Sequence, residues 1–422
     1  MRGERAWSSL LPVLLQEPEC GVFSRNQEWV ESVHRPVNGR ALISRYTERD
    51  MSSSIPRLNP PHRILMGPGP TPVAARVYEA MGKPIVGHLD PFFFQINEEI
   101  RPWLRMVYGT KNPFTMVLSG TGSAGMEAAV SNFVHEDTKF VVFIAGYFAD
   151  RIAEMGRRQG ATVVRVEKPW GETFTDAEVR EAILREKPTM VGYVTAETST
   201  GVWQSGDALC QAAHEVGALV IADCVTSLGT MPINVDATGI DIAFSCSQKG
   251  LSCPPGLSPI TVSERAMDRL RARQESNRTW YLDFKLLDEY FGGQKRYHHT
   301  APITMFYALR EGLALIAEEG VEARFARHKA NHLELIAGLE GLGLKMLVNN
   351  PHRLWTLHTP MIPEGKDDMK VRKYLLDNYS IDIAGGFGPL AGKIWRIGLM
   401  GEGSKKENIA LLLEAFGKAL AA

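Results

Sequence analysis

A lysine and an aspartate stand out among the residues that could do chemistry. Asp223 directly follows the apolar run Ala218–Ala222, and Lys249, 26 residues later, follows a second such run, Ile240–Phe244. If both runs are strands of one sheet, the carboxylate and the amine meet in one cleft at the strand ends. A lysine can hold an aldehyde covalently, and a carboxylate can keep a pyridine nitrogen protonated. The pair therefore fits pyridoxal phosphate, whose protonated ring withdraws electrons from an amino acid.

The glycine-rich segment Ser119–Gly125 could hold the phosphate of such a cofactor. It follows an apolar run and opens a predicted helix, whose first N–H groups suit an anion. Gly120, Gly122 and Gly125 also fit the G-x-G-x-x-G pattern of dinucleotide-binding proteins. That alternative, an NAD-dependent dehydrogenase, needs an acid at the end of the next strand, where Ile144-Ala145-Gly146 supplies none.

Aromatic and hydroxyl residues follow other predicted strands. Phe148 could stack on a flat ring, although most aromatic residues fill cores. Thr198, within Glu197–Gly201, could bond a ring oxygen, although such residues usually cap helices or turns. The loop Gly67–Thr71 is a tight turn by default, and it serves a site only if the fold brings it there.

Arg396 and two adjacent histidines are further candidates. Arg396 lies in the apolar run Ile394–Leu399, and a buried guanidinium needs an anion, either an internal carboxylate or a substrate carboxylate. His298 and His299 invite a metal interpretation. Adjacent side chains point apart and no matching ligand spacing follows, so we expect no metal.

The bulk composition is that of an ordinary globular protein. The 422 residues are 44% hydrophobic and 23% charged with a net charge of −1, so nothing indicates nucleic acid binding or a polybasic membrane signal. No apolar stretch is long enough to span a membrane. Five cysteines without C-x-x-C spacing argue against a disulfide framework and favour a reducing, cytoplasmic location.

Apolar runs that alternate with amphipathic segments must position these residues. The predicted strands are Phe114–Leu118, Phe140–Ala145, Thr162–Val166, Met190–Val194, Ala218–Ala222, Ile240–Phe244 and Ser258–Val262. The predicted helices between them are Ala124–Phe133, Phe148–Gln159, Asp176–Glu186 and Ala208–Val216. This alternation predicts an α/β fold with a mainly parallel, seven-stranded sheet covered by helices.

The flanks of this alternating region differ from it. Residues 1–60 lack sustained periodicity and predict a poorly ordered N-terminal extension. We expect a large cofactor-binding domain over residues 61–310 and a smaller C-terminal α+β domain over residues 311–422. One long helical pattern runs from Met305 to about Leu342 across the boundary between them.

Together the motifs resemble the class V, fold type I, pyridoxal phosphate aminotransferases, most closely the alanine–glyoxylate and serine–pyruvate aminotransferase group. The resemblance runs from about Leu65 to the C-terminus. It is carried by Gly67-Pro68-Gly69-Pro70, Ser119-Gly120-Thr121-Gly122, Ser199-Thr200-Gly201-Val202, Ser247-Gln248-Lys249 with Pro254-Pro255-Gly256, Tyr297-His298-His299-Thr300 and Arg396-Ile397-Gly398. Two positions depart from the family pattern: Phe148 stands where relatives often have tryptophan, and Ser123 where some have histidine.

The resemblance implies roles for the matching residues. Lys249, as the covalent attachment point, and Asp223 would be catalytic, while Gly67 and Arg396 would bind substrate. The implied cofactor-binding residues are Thr121, Gly122, Ser123, Phe148, Thr198, Asp223, Val225, Gln248, Lys249, Tyr297 and Thr300. Tyr297 and Thr300 would reach the phosphate of the neighbouring subunit, which implies a homodimer with shared active sites.

The expected activity is transamination between a small amino acid, alanine or serine, and a small 2-oxo acid, glyoxylate or pyruvate. It would proceed by a ping-pong mechanism through pyridoxamine phosphate. Serine–glyoxylate aminotransferase, or another class V enzyme, is the nearest alternative. A cysteine desulfurase would need a mobile cysteine after Lys249, where only Cys253 follows. A dehydrogenase built on Gly120–Gly125 and a silent scaffold are alternatives from other classes.

Overall fold

The computed structural model describes residues 57–421. The predicted N-terminal extension, residues 1–60, lies outside the described residues except for its last four. Residues 62–422 form one compact unit, and the architecture below is that of this unit.

Most of the strands of this unit are short, and seven of them form the main sheet. In chain order they are β1 (Ile64–Leu65), β2 (Phe114–Ser119), β3 (Lys139–Ile144), β4 (Thr162–Glu167), β5 (Met190–Val194), β6 (Ala196–Glu197), β7 (Val202–Trp203), β8 (Leu219–Asp223), β9 (Ile242–Phe244), β10 (Leu257–Val262), β11 (Leu357–His358), β12 (Ile381–Asp382), β13 (Ala384–Gly385) and β14 (Trp395–Gly398). The seven predicted strands are thus confirmed to within two residues at each end.

The helices alternate with these strands and then dominate the C-terminal part. They are α1 (Ala75–Met81), α2 (Pro91–Tyr108), α3 (Gly122–Phe133), α4 (Tyr147–Arg158), α5 (Asp176–Glu186), α6 (Asp207–Glu215), α7 (Val235–Thr238), α8 (Glu264–Ala272), α9 (Phe284–Phe291), α10 (Ile303–Glu319), α11 (Val321–Gly341), α12 (Asp368–Tyr379) and α13 (Lys406–Ala421). Short 3-10 helices occur at Trp280–Leu282, Gly388–Leu390 and Gly401–Gly403.

One helix prediction was wrong in extent. The helical pattern from Met305 to Leu342 is two helices, α10 and α11, which meet at Gly320. Gly320 has a φ of 84°, outside the helical region, so the chain changes direction there although the amphipathic pattern continues.

The main sheet has the strand order β2-β10-β9-β8-β5-β3-β4. Only β10 runs antiparallel, and it lies between β2 and β9, so the other six strands point the same way. Helices cover the sheet, and strands such as β2, β5, β8 and β10 are buried along their whole length, as a mainly parallel sheet requires. The carboxyl ends of β2, β3, β5, β8 and β9 therefore meet at one edge of the sheet, which we call the carboxyl edge.

Two large hydrophobic cores hold the unit together. The first surrounds the main sheet and extends along the chain from Val77 to Val321. The second contains Met66 and residues from Leu335 to Ala419, and it is bordered by the small sheets β1-β12 and β11-β14-β13. The predicted division into domains at residues 60 and 310 stays a prediction.

Candidate active site

A cavity of about 150 Å³ lies at the carboxyl edge of the main sheet. It is lined by Thr121, Gly122, Ser123, Met126, Phe148, Arg151, Val194, Ala196, Thr198, Asp223, Val225, Cys246, Gln248 and Lys249. Nine of the predicted cofactor-binding residues are among them. Two larger hollows, of about 620 and 700 Å³, contain none of the predicted site residues, so chemistry rather than size identifies this cavity.

Lys249 reaches the cavity from the turn after β9. Its Nζ donates a hydrogen bond to the carbonyl oxygen of Pro68, and the hydroxyl of Thr71 donates to the Lys249 carbonyl over 2.9 Å. Burial lowers the pKa of Lys249, and the positive charge of Arg396 lowers it further, while Cys246 and Asp223 act in the opposite direction. A lysine with a depressed pKa can present a neutral amine, as covalent or general base chemistry requires.

Asp223 is the last residue of β8 and is buried. Its Oδ1 accepts a hydrogen bond of 2.8 Å from the Val225 N–H, the only partner of this carboxylate within residues 57–421. Burial, and secondarily the nearby Glu197, raise the pKa of Asp223 to about 7. A protonated ring nitrogen would supply the cationic donor that this carboxylate lacks.

The N-terminus of α3 faces the same cavity. Its N-cap residue, Thr121, makes no side-chain capping bond, and the N–H groups of Gly122 and Ser123 have no acceptor in the described part of the chain. The buried Oε1 of Gln248 also lacks a hydrogen-bond partner there. Since the two ends of an amide are assigned from their partners, this orphan means that one end of Gln248 awaits a ligand. A phosphate, whose oxygens accept hydrogen bonds, would satisfy the two N–H groups and the NH2 end of the Gln248 amide.

Phe148 lies in the first turn of α4, and a buried carboxylate fixes that turn. Glu197 accepts hydrogen bonds from the N–H groups of Phe148 and Ala149 over 3.1 and 3.3 Å, and from the Ser199 hydroxyl over 2.5 Å. Burial raises the pKa of Glu197, against the effect of these hydrogen bonds. An anion at a helix N-terminus is stabilised by the free N–H groups, so Glu197 sets the position of the Phe148 ring.

Thr198 and Val225 complete the cavity wall. The hydroxyls of Thr198 and Thr226 are 2.7 Å apart, which leaves one further hydrogen bond for Thr198 to make. Val225 is only partly buried and follows Asp223 directly, so it borders the space in front of the carboxylate. The two residues can therefore contact the edge and the face of a flat ring.

Arg396 enters from β14 and has no carboxylate partner among residues 57–421. Its Nε donates to the Gly385 carbonyl over 2.8 Å, and its guanidinium carbon is 4.3 Å from the centroid of the Phe387 ring. Burial lowers its pKa to about 10. Of the two alternatives from the sequence, the internal salt bridge is therefore absent, and both terminal nitrogens are left for an external carboxylate.

The loop from Gly67 does reach the site. Met66 bridges β14 and β12, since its carbonyl accepts from the Gly398 N–H over 2.7 Å and its N–H donates to Asp382 over 2.9 Å. Gly69 has a φ of 114°, and a Cβ there would overlap Lys249. The close approach of this loop to the lysine therefore depends on glycine.

Tyr297 and Thr300 do not line this cavity. Both are exposed, and Tyr297 is 58% accessible with its ring 5.2 Å from that of His88. The neighbouring histidines turn inward: His299 is 2.6 Å from the Ser119 hydroxyl and 2.8 Å from His298. These two histidines thus form a hydrogen-bonded pair at the end of β2. Within residues 57–421, no group of three potential ligands is arranged to hold a metal.

Two charged residues of the site, Arg151 and Glu197, were not predicted from the sequence. Arg151 lies one helical turn after Phe148, and this i, i+3 spacing was the available signal. Glu197 stood inside the Glu197–Gly201 motif, but its capping of α4 depends on a contact across 49 positions that no local pattern reveals.

Three comparisons with known proteins agree with this geometry. The family model described as "Aminotransferase class-V" matches residues 75–387. Alanine–glyoxylate aminotransferase of Felis catus is 39% identical over 86% of this chain and 89% of its own length. (S)-ureidoglycine–glyoxylate transaminase of Bacillus subtilis is 37% identical over 84% of this chain and 89% of its own.

A solved structure confirms the predicted architecture. Alanine–glyoxylate aminotransferase from Nostoc sp. superposes with a TM-score of 0.86 at 44% identity, covering 89% of this chain and all of that one. The fold is thus the predicted fold type I. The match to aminotransferases contradicts the dehydrogenase and desulfurase alternatives. Cys253 in particular is buried, and burial raises the pKa of its thiol to about 12. The family implies pyridoxal phosphate as the cofactor, and this chain belongs to the class V aminotransferases.

Proposed function

We propose that this enzyme transfers the amino group of a small amino acid, alanine or serine, to a small 2-oxo acid, glyoxylate or pyruvate. The observation that carries the proposal is the unpaired Arg396 beside Lys249 and Asp223, a cation free to bind the carboxylate that both substrates share. Glyoxylate is favoured as the acceptor because the relatives from Felis catus, Bacillus subtilis and Nostoc sp. are all named for it.

Pyridoxal phosphate, when bound, supplies the electron sink that makes the α-proton of an amino acid removable. Thr121, Gly122, Ser123 and Gln248 would hold its phosphate, a role that the unpartnered groups at the start of α3 and on Gln248 support. Asp223 would keep the ring nitrogen protonated, because a buried carboxylate with one internal partner is stabilised by a cationic donor. Phe148 and Val225 would contact the ring faces, and Thr198 would bond the ring oxygen.

Lys249 has two roles in this proposal. It attaches the cofactor covalently between turnovers, and once its amine is freed it moves the α-proton of the substrate. Burial lowers the pKa of Lys249, which favours the neutral amine, the form that can accept a proton. The Pro68 carbonyl, which accepts a hydrogen bond from Nζ, gives the freed amine a defined resting position.

The groups packed around Arg396 support small substrates. The Phe387 ring packs against its guanidinium, and Tyr147 packs edge-on against Phe387 at 5.0 Å. The loop that begins at Gly67 approaches Lys249 through Gly69. An amino acid bound through Arg396 would share the site with these aromatic rings, which favours a side chain of the size of alanine or serine.

A two-substrate kinetic panel tests the assignment. Alanine, serine and (S)-ureidoglycine serve as donors, glyoxylate and pyruvate as acceptors, and the keto and amino products are measured chromatographically. We expect parallel double-reciprocal lines, the mark of a ping-pong mechanism, with alanine or serine and glyoxylate giving the highest kcat/KM. A higher kcat/KM for ureidoglycine would reassign the donor, and intersecting lines would contradict the mechanism.

We further propose a homodimer in which Tyr297 and Thr300 of each subunit complete the phosphate site of the other. The exposure of both residues and the exposed Ile85, Leu89 and Phe92 on the same unit support a shared face. Mixing the inactive variants Lys249→Ala and Tyr297→Ala tests this. A hybrid dimer contains one intact site only if Tyr297 acts across the interface, so activity should return on mixing; mixtures that stay inactive would contradict the proposal.

We propose a reducing, cytoplasmic location, which is supported by four buried cysteines without disulfides in the described part of the chain. Of the helices between residues 57 and 421, none combines the length and apolarity needed to cross a membrane. Cell fractionation tests the location, and recovery of the enzyme from an oxidising compartment would contradict it.

A further inference from the structure

Arg151 is a cation at the cavity to which the family resemblance gave no role. It lies on α4, one turn after Phe148, and lines the cavity together with Thr121, Gly122 and Ser123. Its Nη1 is 3.2 Å from the Ser123 hydroxyl and donates a hydrogen bond to it. The guanidinium therefore lies next to the N-terminus of α3, where the free N–H groups are.

The guanidinium also contacts the aromatic rings at the start of α4. Its carbon is 5.0 Å from the ring centroid of Phe148 and 5.0 Å from that of Tyr147, within the range of cation–π attraction. These contacts hold the side chain against the cavity wall. Less side-chain entropy is consequently lost when an anion binds there.

No carboxylate within residues 57–421 forms an ion pair with Arg151. The acidic neighbours on its own helix are engaged elsewhere: Asp150 pairs with Arg165 at 2.7 Å, and Glu154 pairs with Arg157 and Arg158 at 2.8 Å each. Arg151 thus faces the cavity without an ion-pair partner in the described chain, and its only electrostatic effect on a cavity carboxylate is to lower the pKa of Asp223. A partly buried guanidinium in this position is stabilised by an anionic ligand.

The other groups at the phosphate end are neutral. Thr121, Gly122, Ser123 and Gln248 offer hydroxyl, amide and backbone donors but no charge, whereas a phosphate monoester carries about −1.5 to −2 at neutral pH. We propose that Arg151 is a cofactor-positioning residue whose charge, acting beside Ser123, binds the phosphate and keeps Phe148 in place against the cofactor ring. This inference rests on the proposed site.

The test compares two ligands that differ only in the phosphate. Apoenzyme is titrated with pyridoxal phosphate and with pyridoxal, following the visible absorbance and the quenching of intrinsic fluorescence. Arg151→Met removes the charge and keeps the apolar stem, and Arg151→Lys keeps the charge. Arg158→Met, which removes an exposed arginine from the same helix, is the matched control.

We expect Arg151→Met to weaken pyridoxal phosphate binding about tenfold to hundredfold, while pyridoxal binding stays within twofold of the parent. Arg151→Lys should recover most of the loss, and Arg158→Met should bind like the parent. The inference would be overturned if Arg151→Met bound pyridoxal phosphate as tightly as the parent enzyme does. It would also be overturned if Arg151→Met lost equal affinity for pyridoxal phosphate and for pyridoxal. If Arg151→Met does not fold, Arg151→Gln gives the same comparison. A parent apoenzyme that binds neither ligand would instead overturn the proposed site itself.

Discussion

Two buried aspartates at opposite edges of the same sheet differ in what surrounds them. Asp241, at the amino end of β9, accepts hydrogen bonds from the Val220 N–H and the Ser263 hydroxyl and pairs with Arg265 and His214, all within 3.1 Å. Asp223, at the carboxyl edge, has one backbone partner in the described chain. The first carboxylate is satisfied by the protein, whereas the second needs a ligand.

The same contrast extends to the rest of the carboxyl edge. The start of α3 and the Gln248 amide lack hydrogen-bond partners among residues 57–421, and Arg151 and Arg396 each make one hydrogen bond to a neutral group but pair with no carboxylate there. Buried polar groups in native proteins are nearly always hydrogen-bonded, so a cluster of exceptions indicates a site completed by something else. Asn97, Asn277 and Trp395 also carry buried side-chain atoms without a partner in the described chain, but they do not line this cavity. The clustering of unsatisfied groups, rather than cavity volume, therefore marks the active site.

Replacement of Lys249 should have the largest effect. Lys249→Ala removes the covalent attachment and the proton-transfer group together, so we expect turnover to fall by at least about 10⁴-fold and the visible band of the attached cofactor to vanish. Lys373→Ala, which removes an exposed lysine paired with Asp377, should change neither. A Lys249→Ala enzyme that still cycles would end the account.

The two aspartates should separate function from stability. Asp223→Asn should lower kcat by about 10²- to 10³-fold, because the charge that stabilises the protonated ring is lost, and leave the free energy of unfolding of the apoenzyme nearly unchanged. Asp241→Asn should lower that free energy by about 2–4 kcal/mol, since it breaks a buried network. Urea unfolding and steady-state kinetics of both variants measure this. A loss of stability in Asp223→Asn together with a loss of kcat in Asp241→Asn would contradict the functional role of Asp223 and the structural role of Asp241.

Replacement of Arg396 tests whether this unpaired cation binds the carboxylate of the substrate. Arg396→Gln should raise the KM for alanine by about tenfold to hundredfold, because a charge-assisted bidentate contact is lost. Binding of an amine without a carboxylate, such as ethylamine, should be unaffected. If KM for alanine does not change, Arg396 serves only the packing of Phe387 and Gly385.

Glu197 sharpens the comparison, because its carboxylate lies at the same edge and is internally satisfied. Glu197→Gln should lower the free energy of unfolding by about 1–3 kcal/mol, since one of the two acceptor oxygens becomes an NH2 group that cannot accept from the N–H of Ser199 or of Phe148. The surface substitution Glu154→Gln should stay within about 0.5 kcal/mol of the parent. Thermal unfolding of the two apoenzymes measures this difference. Equal stability of Glu197→Gln and Glu154→Gln would show that Glu197 does not stabilise the start of α4.

Acid should weaken the second core gradually. Burial lowers the pKa of His328 to about 3 and of His332 to about 4, and it also lowers the pKa of His358, whose Nε2 is 2.8 Å from His332. The unfolded chain binds protons below about pH 6.5, whereas the folded chain does not until about pH 4, so the free energy of unfolding should fall across that window. Urea midpoints measured from pH 7.5 to pH 4.5 check this; a flat profile would contradict it.

Much of the fold could be predicted from the sequence, because its signals are local. Apolar, β-branched runs, each closed by glycine or a polar residue, predicted the seven strands and the edge to which their ends point. Helix α2 was not predicted, although Asp90 and Pro91 at its start and Gly109 at its end are standard boundary signals. Its internal Pro102 and aromatic residues obscured the pattern.

The site residues also divide into those with a local sequence signal and those without one. Lys249, Asp223 and the glycine-rich turn sit directly at strand ends, so their meeting follows from the topology of the sheet. The Pro68 carbonyl contacts Lys249 across 181 positions, and Arg151 contacts Ser123 across 28 positions. Such contacts depend on the packing of separate segments, for which one sequence contains no local signal.

The most direct test of the account is an absorbance spectrum of the purified enzyme after addition of pyridoxal phosphate. We predict a visible band that fades when L-alanine is added and returns when glyoxylate follows, because the unpartnered groups at the carboxyl edge hold the cofactor and Arg396 admits both substrates. No visible band in the presence of excess cofactor would contradict the assignment of Lys249 and Asp223, and with it the central claim that unsatisfied groups mark the active site.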